Sequence, residues 1–195
     1  MLSVVVLISG GGSNLLALLE AADNPMAQFR IAGVGADNPA EGLMHADLFG
    51  VPTFVALPER FETREEWAEV MLRGIDHFDP DLVVLAGFMK ILPPNFVNAL
   101  APNLINIHPS LLPDFRGAHA VRDALNAGAT VTGSTVHIVD NGVDTGPILA
   151  QAQVEISPED TEASLHEKIK VVEHELLVNT VKEIAYGRLS LVGAQ

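Results

Sequence analysis

Apolar positions along this chain alternate between two textures. Short β-branched runs, read as strands near Ser3–Ser9, Arg30–Gly35, Thr53–Ala56, Asp81–Ala86 and Leu104–Ile107, are separated by segments with three- and four-residue apolar spacing. That spacing predicts helices over Asn14–Ala22, Ala40–Phe49 and Thr63–Phe78, and in the last of these Trp67, Val70, Met71, Ile75 and Phe78 form one stripe. After Ile107 the pattern breaks into the loop HPSLLPDFRGAHA, followed by a short helix near His119–Ala127. Strands at Thr130–Val139 and Ile148–Ile156 then flank the turn-rich DNGVDTGP. A last helix runs from Thr161 to about Tyr186, with Leu165, Ile169, Val172, Leu176, Thr180 and Ile184 on one side. Strand–helix alternation of this kind predicts an α/β fold, a Rossmann-like, mainly parallel twisted sheet with helices on both faces. No repeat or linker divides the 195 residues, so a single domain over 1–195 is expected.

Charge narrows the partners. With 11 Lys and Arg against 25 Asp and Glu the chain carries −14, and the basic stripe that holds a nucleic acid is missing. There is no cysteine, which excludes disulfides, thiolate zinc sites, iron–sulfur clusters and a cysteine nucleophile. His119, His137, His166 and His174 fall at no compact ligand spacing, so no metal is expected. The apolar run at the N-terminus is too short for a membrane span and lacks the basic flank of a signal peptide. A cytoplasmic protein without a membrane partner is the expectation.

Three segments carry candidate chemistry. Gly10-Gly11-Gly12-Ser13-Asn14 lies between the first strand and the first helix, where backbone amides and the helix N-terminus suit an anion. Leu15 stands where a dinucleotide fingerprint needs its third glycine, and no Gly-Lys-Ser/Thr follows, so a phosphomonoester fits better than a pyrophosphate. The plainer alternative is that Ser13 or Asn14 simply caps the helix. Asn106 and His108, two residues apart at a strand end, project on one face, pairing a neutral hydrogen-bond donor with a titratable one. Asp144 could approach His108 and favour its imidazolium, while Asp140, Asn141 and Asp144 equally read as turn formers. Glu173 reads as lying on a solvated helix flank with Lys170 as its partner one turn earlier.

Together SGGGSN, LAGFMKIL at 85–92, NIHPSLLP at 106–113, GSTVHIV at 133–139, Asp144 before Gly-Pro, and Glu173-His174 make the chain resemble the phosphoribosylglycinamide formyltransferases, a folate-dependent formyltransferase family. The resemblance runs nearly end to end. It implies the formyltransferase fold, with a phosphate-binding half over about 1–100 and a catalytic and folate-binding half over about 101–195. It also implies formyl transfer from 10-formyltetrahydrofolate, as co-substrate, to the amine of glycinamide ribonucleotide, without a metal. By position it implies Asn106, His108 and Asp144 as the catalytic triad. Gly12, Ser13, Asn14, Lys170 and Glu173 would contact the ribonucleotide. Arg64, Met89, Lys90, Ile91, Leu92 and Asn106, with Asp140, Asn141, Gly142, Val143 and Asp144, would form the folate site. Small-molecule partners and a homodimer are compatible with this reading. Two alternatives stay open: a formyltetrahydrofolate deformylase, with water as acceptor, and a non-catalytic nucleotide-binding module with Asp37 as its ribose acid.

Overall fold

A computed structural model describes residues 1–192; residues 193–195, the end of the expected 1–195 domain, lie outside it. Seven strands form one sheet: β1 Leu2–Ile8, β2 Phe29–Ala36, β3 Thr53–Val55, β4 Leu82–Leu85, β5 Leu104–His108, β6 Val131–Ile138 and β7 Ile148–Glu155. Their order is β3-β2-β1-β4-β5-β6-β7, with parallel pairing through β5 and antiparallel pairing for β6 and β7. The helices are α1 Ser13–Ala22, α2 Leu43–Leu48, α3 Arg64–Asp76, α4 Pro94–Leu100, α5 Ala120–Asn126 and α6 Glu162–Ala185. The expected mainly parallel α/β sheet is therefore the one observed.

Strand β1 shows how the sheet is held. Val4, Val6 and Ile8 point to one face, against α1, α2 and α6 through Leu15, Leu18, Ala46, Leu177 and Val181. Val5 and Leu7 point to the other, against α3 and α4 through Trp67, Met71, Ile75 and Phe96. All five β1 side chains are fully buried, so a run of apolar residues without alternation is what a strand covered on both faces requires.

Several expected boundaries shift. Helix Ala40–Phe49 contracts to Leu43–Leu48, and Thr63 stands just outside α3, where its hydroxyl accepts from the Glu66 amide at 3.1 Å. Helix α4 was not anticipated, although Pro93-Pro94 marks its first turn. Leu165, Ile169 and Thr180 of the expected α6 stripe are buried, and Glu173, Leu177 and Val181 complete it in place of Val172, Leu176 and Ile184. Val172, Leu176 and Ile184 are only half-buried, because the helix is turned to bring Glu173 inward against α1.

Strand order reverses between β1 and β4, and ligands of open α/β sheets gather outside the strand carboxyl ends at such a point. The segments that leave β1 and β4 there are Ser9–Gly12 and Ala86–Leu92.

Candidate active site

Register across β5 and β6 assembles the polar centre. Asn106 pairs with His137 and His108 with Thr135, so all four side chains lie on one face of the sheet. Asp144 reaches them from the segment after β6, at a left-handed φ of 51° that is rare outside glycine. Its Oδ2 faces His108 Nδ1 at 3.5 Å and accepts from the Gly117 amide at 2.8 Å, while Oδ1 faces His137 Nε2 at 3.6 Å.

His137 Nδ1 bonds the Ile138 carbonyl at 2.9 Å, so that nitrogen carries the proton. In the neutral ring Nε2 is then free to accept from the Asn106 amide at 3.2 Å. His108 Nε2 donates to the Phe115 carbonyl at 2.9 Å, and Phe115 itself sits at φ 53°. Both His108 nitrogens are thus engaged, and the residue is only 5% exposed.

The loop after β5 is stapled from below. Thr135 Oγ1 donates to the Ser110 carbonyl at 2.7 Å and accepts from the Leu112 amide at 3.1 Å and from Gln151 Nε2 at 2.9 Å. Burial alone would raise the Asp144 carboxyl. The His137 contact, the Gly117 amide and the charge of both imidazoles outweigh it and hold the pKa at about 2.

One cavity opens beside this centre. Its polar wall is Asn106, His137 and Asp140–Asp144, and its apolar wall is Leu85, Phe88, Leu92, Val97 and Val139, with Lys90 and Ile91 completing it. Asp140 is a turn former as well, its Oδ1 accepting from the Gly142 amide at 3.0 Å and from Thr145 Oγ1 at 2.7 Å.

A second cavity is lined by Gly10–Asn14, Gly87, Met89, Pro109, His166, Lys170 and Glu173. Gly12, at φ 70°, occupies the N-cap of α1 and no side chain caps the helix, so the capping role proposed for Ser13 or Asn14 is not found. The first-turn amides are left for a ligand. Asn14 and Glu173 are buried, with Asn14 Nδ2 donating to Glu173 Oε2 at 3.4 Å and Asn14 Oδ1 without a partner among the described residues. Burial pushes the Glu173 carboxyl up; the Asn14 contact, Lys170 and Ser134 oppose this without cancelling it. Glu173 is therefore not the solvated partner of Lys170, whose Nζ instead bonds Glu167 at 2.7 Å.

The sequence profile of formyl transferases matches residues 2–181. The chain belongs to the formyl transferase family. It is 44% identical over 192 residues to phosphoribosylglycinamide formyltransferase of Mycobacterium tuberculosis (strain CDC 1551 / Oshkosh), covering 97% of this chain and 88% of that protein. It is 38% identical over 191 residues to the Escherichia coli (strain K12) protein of the same name, covering 97% of this chain and 90% of that one. Glycinamide ribonucleotide transformylase 1 from Symbiobacterium toebii superposes with a TM-score of 0.95 at 37% identity, over all of this chain and 92% of that structure.

In this formyl transferase the expected residues divide between the two cavities. Lys90, Ile91, Leu92, Asn106 and Asp140–Asp144 line the first, and Gly12, Ser13, Asn14, Lys170 and Glu173 line the second. Met89, expected in the folate site, lines the second cavity. Arg64 is exposed at the start of α3 and lines neither. Asp37 is 3% exposed and held by Lys90 Nζ at 3.5 Å and Asn38 Nδ2 at 2.9 Å, so it is not free to bind a ribose. His137 is the residue that sequence reasoning passed over. A search for metal spacing had no place for it, although it alternates with Thr135 on the strand beside Asn106 and His108.

Three outcomes follow. Asp144 stabilises the fold above about pH 4, and this contribution is lost as pH falls toward 2. His137→Phe is expected to move the Asp144 carboxyl midpoint, read by carbon NMR, upward from about 2 by roughly one unit. Because the raised Glu173 pKa makes its ionised form unfavourable in the fold, Glu173→Gln should stabilise the ligand-free protein at neutral pH. The added amide can donate to Asn14 Oδ1, and a gain of about 1 kcal/mol is expected, which is about 2–4 °C in thermal midpoint.

Proposed function

We propose that this formyl transferase moves the formyl group of 10-formyltetrahydrofolate to the primary amine of glycinamide ribonucleotide, giving formylglycinamide ribonucleotide and tetrahydrofolate. A cytoplasmic step of purine synthesis goes with this reading. One observation carries it: the ends of β4 and β5 divide the two cavities. Leu85, Phe88, Lys90 and Asn106 face the apolar-walled one, and Ala86, Met89, Ile107 and Pro109 face the one with the glycine cradle. A flat heteroaromatic donor suits the first and a phosphomonoester the second, so their reactive ends would meet above Asn106 and His108.

The chain's own groups fit such a transfer. The incoming amine is the nucleophile, so no side-chain nucleophile is needed, in keeping with the absence of cysteine. With one Nδ2 proton on His137, Asn106 keeps a second for the oxyanion that forms when the amine adds to the formyl carbonyl. Asp144 stays ionised across the neutral range, so a carboxylate stands beside both imidazoles throughout. For His108 to pass a proton to the departing folate nitrogen, Nε2 must leave the Phe115 carbonyl.

The names of the relatives support the ribonucleotide as acceptor. A deformylase would use the same three polar groups but has no use for the glycine cradle. The nucleotide-binding module lacks its ribose acid, since Asp37 is engaged. In an assay of folate release from a 10-formyl folate, release should depend on added glycinamide ribonucleotide. Asp144→Asn should lower kcat by roughly 10²–10⁴ with little change in KM. Equal release with and without the ribonucleotide would indicate hydrolysis and overturn the transferase reading.

A further inference from the structure

Three consecutive carbonyls of the loop after β1 are tied to the same outer support. The Ser9 carbonyl accepts from Asn38 Nδ2 at 2.9 Å, the Gly10 carbonyl from the Gly42 amide at 3.0 Å, and the Gly11 carbonyl bonds His45 Nε2 at 3.1 Å. In a trans peptide the N–H points opposite the C=O. The amides of Gly10, Gly11 and Gly12 are therefore turned away from that support, and none donates to a protein acceptor among the described residues. They belong to residues that line the second cavity together with Ser13 and Asn14, which open α1.

Space on the two sides differs as this predicts. A Cβ on Gly42 would come within 2.8 Å of the Gly10 carbonyl oxygen and Gly12 Cα, so the support is pressed against the loop. A Cβ on Gly10 or Gly11 would meet nothing within 4 Å, so protein packing does not demand glycine at either position. The open side leaves room for a ligand to approach this backbone closely.

We infer that His45 and Asn38, which line neither cavity, are positioning residues for phosphate binding: by holding the Gly11 and Ser9 carbonyls outward they aim three successive amides at one phosphomonoester dianion. This rests on reading the cradle as the phosphate site. Ligand affinity at the cradle depends on a hydrogen-bond donor at position 45 that never touches the ligand. Oriented amides supply attraction that the −14 chain cannot supply by net charge.

The test combines kinetics with amide NMR on the full chain. Adding ribose 5-phosphate or glycinamide ribonucleotide to the unaltered protein should shift the Gly10–Asn14 amide signals, and signals that stay put would overturn the cradle and this proposal together. With shifts seen, His45→Ala is expected to raise the ribonucleotide KM three- to tenfold, the worth of one hydrogen bond, leaving kcat and the folate KM unchanged. His45→Gln, which keeps a side-chain N–H donor, should restore KM to within about twofold. An unchanged KM in His45→Ala, failure of Gln to restore it, or a fall in kcat to match would overturn the positioning role while leaving the cradle in place.

Discussion

The Asp144 carboxylate joins β5, β6 and the loop between β5 and α5: it faces His108, faces His137 and accepts the Gly117 amide. A charge in that position is costly to bury unless its partners are fixed. Much of the surrounding structure serves to fix them. Antiparallel pairing of β5 with β6 sets Asn106 against His137, and the Thr135–Ser110–Leu112 bonds anchor the loop that carries Phe115 and Gly117. Left-handed backbone at Phe115 and Asp144 is the conformational cost of closing this arrangement, and its contacts hold the Asp144 carboxyl well below the usual carboxylate range.

Legibility from the sequence follows from range. The two-residue spacing of Asn106 and His108, and the passage from a buried strand into glycines, are local facts that periodicity and turn chemistry report well. Glu173 was misplaced because charge on a helix surface normally means solvent, and its inward turn depends on Asn14, 159 positions away. His137 was invisible for a related reason, since its role comes only from lying opposite Asn106 across an antiparallel pair. The resemblance to formyl transferases singled out Asn106, His108 and Asp144, which the fold brings together, but not the engagement of both His108 nitrogens, which depends on where the Phe115 carbonyl folds back.

The chain's charge takes on a different meaning in the structure. Of the three cations that the resemblance assigns to the two sites, Lys90 is paired with Asp37, Lys170 with Glu167, and Arg64 stands outside both cavities. Under the proposed function, backbone dipoles at the start of α1 would supply attraction for the phosphate. Such short-range attraction works within a diffuse negative field that salt screens beyond about 8 Å. The same field continues to oppose an extended polyanion.

A crystal structure of the ternary complex with glycinamide ribonucleotide and an unreactive 10-formyl folate analogue should show the phosphate on the Gly10–Asn14 amides and the heteroaromatic ring between Leu92 and Asp140–Asp144. The amine should lie within about 3.5 Å of the formyl carbon, with Asn106 and His108 on either side. Reacting atoms placed away from Asn106, His108 and Asp144, or both ligands in one cavity, would contradict the proposed transfer.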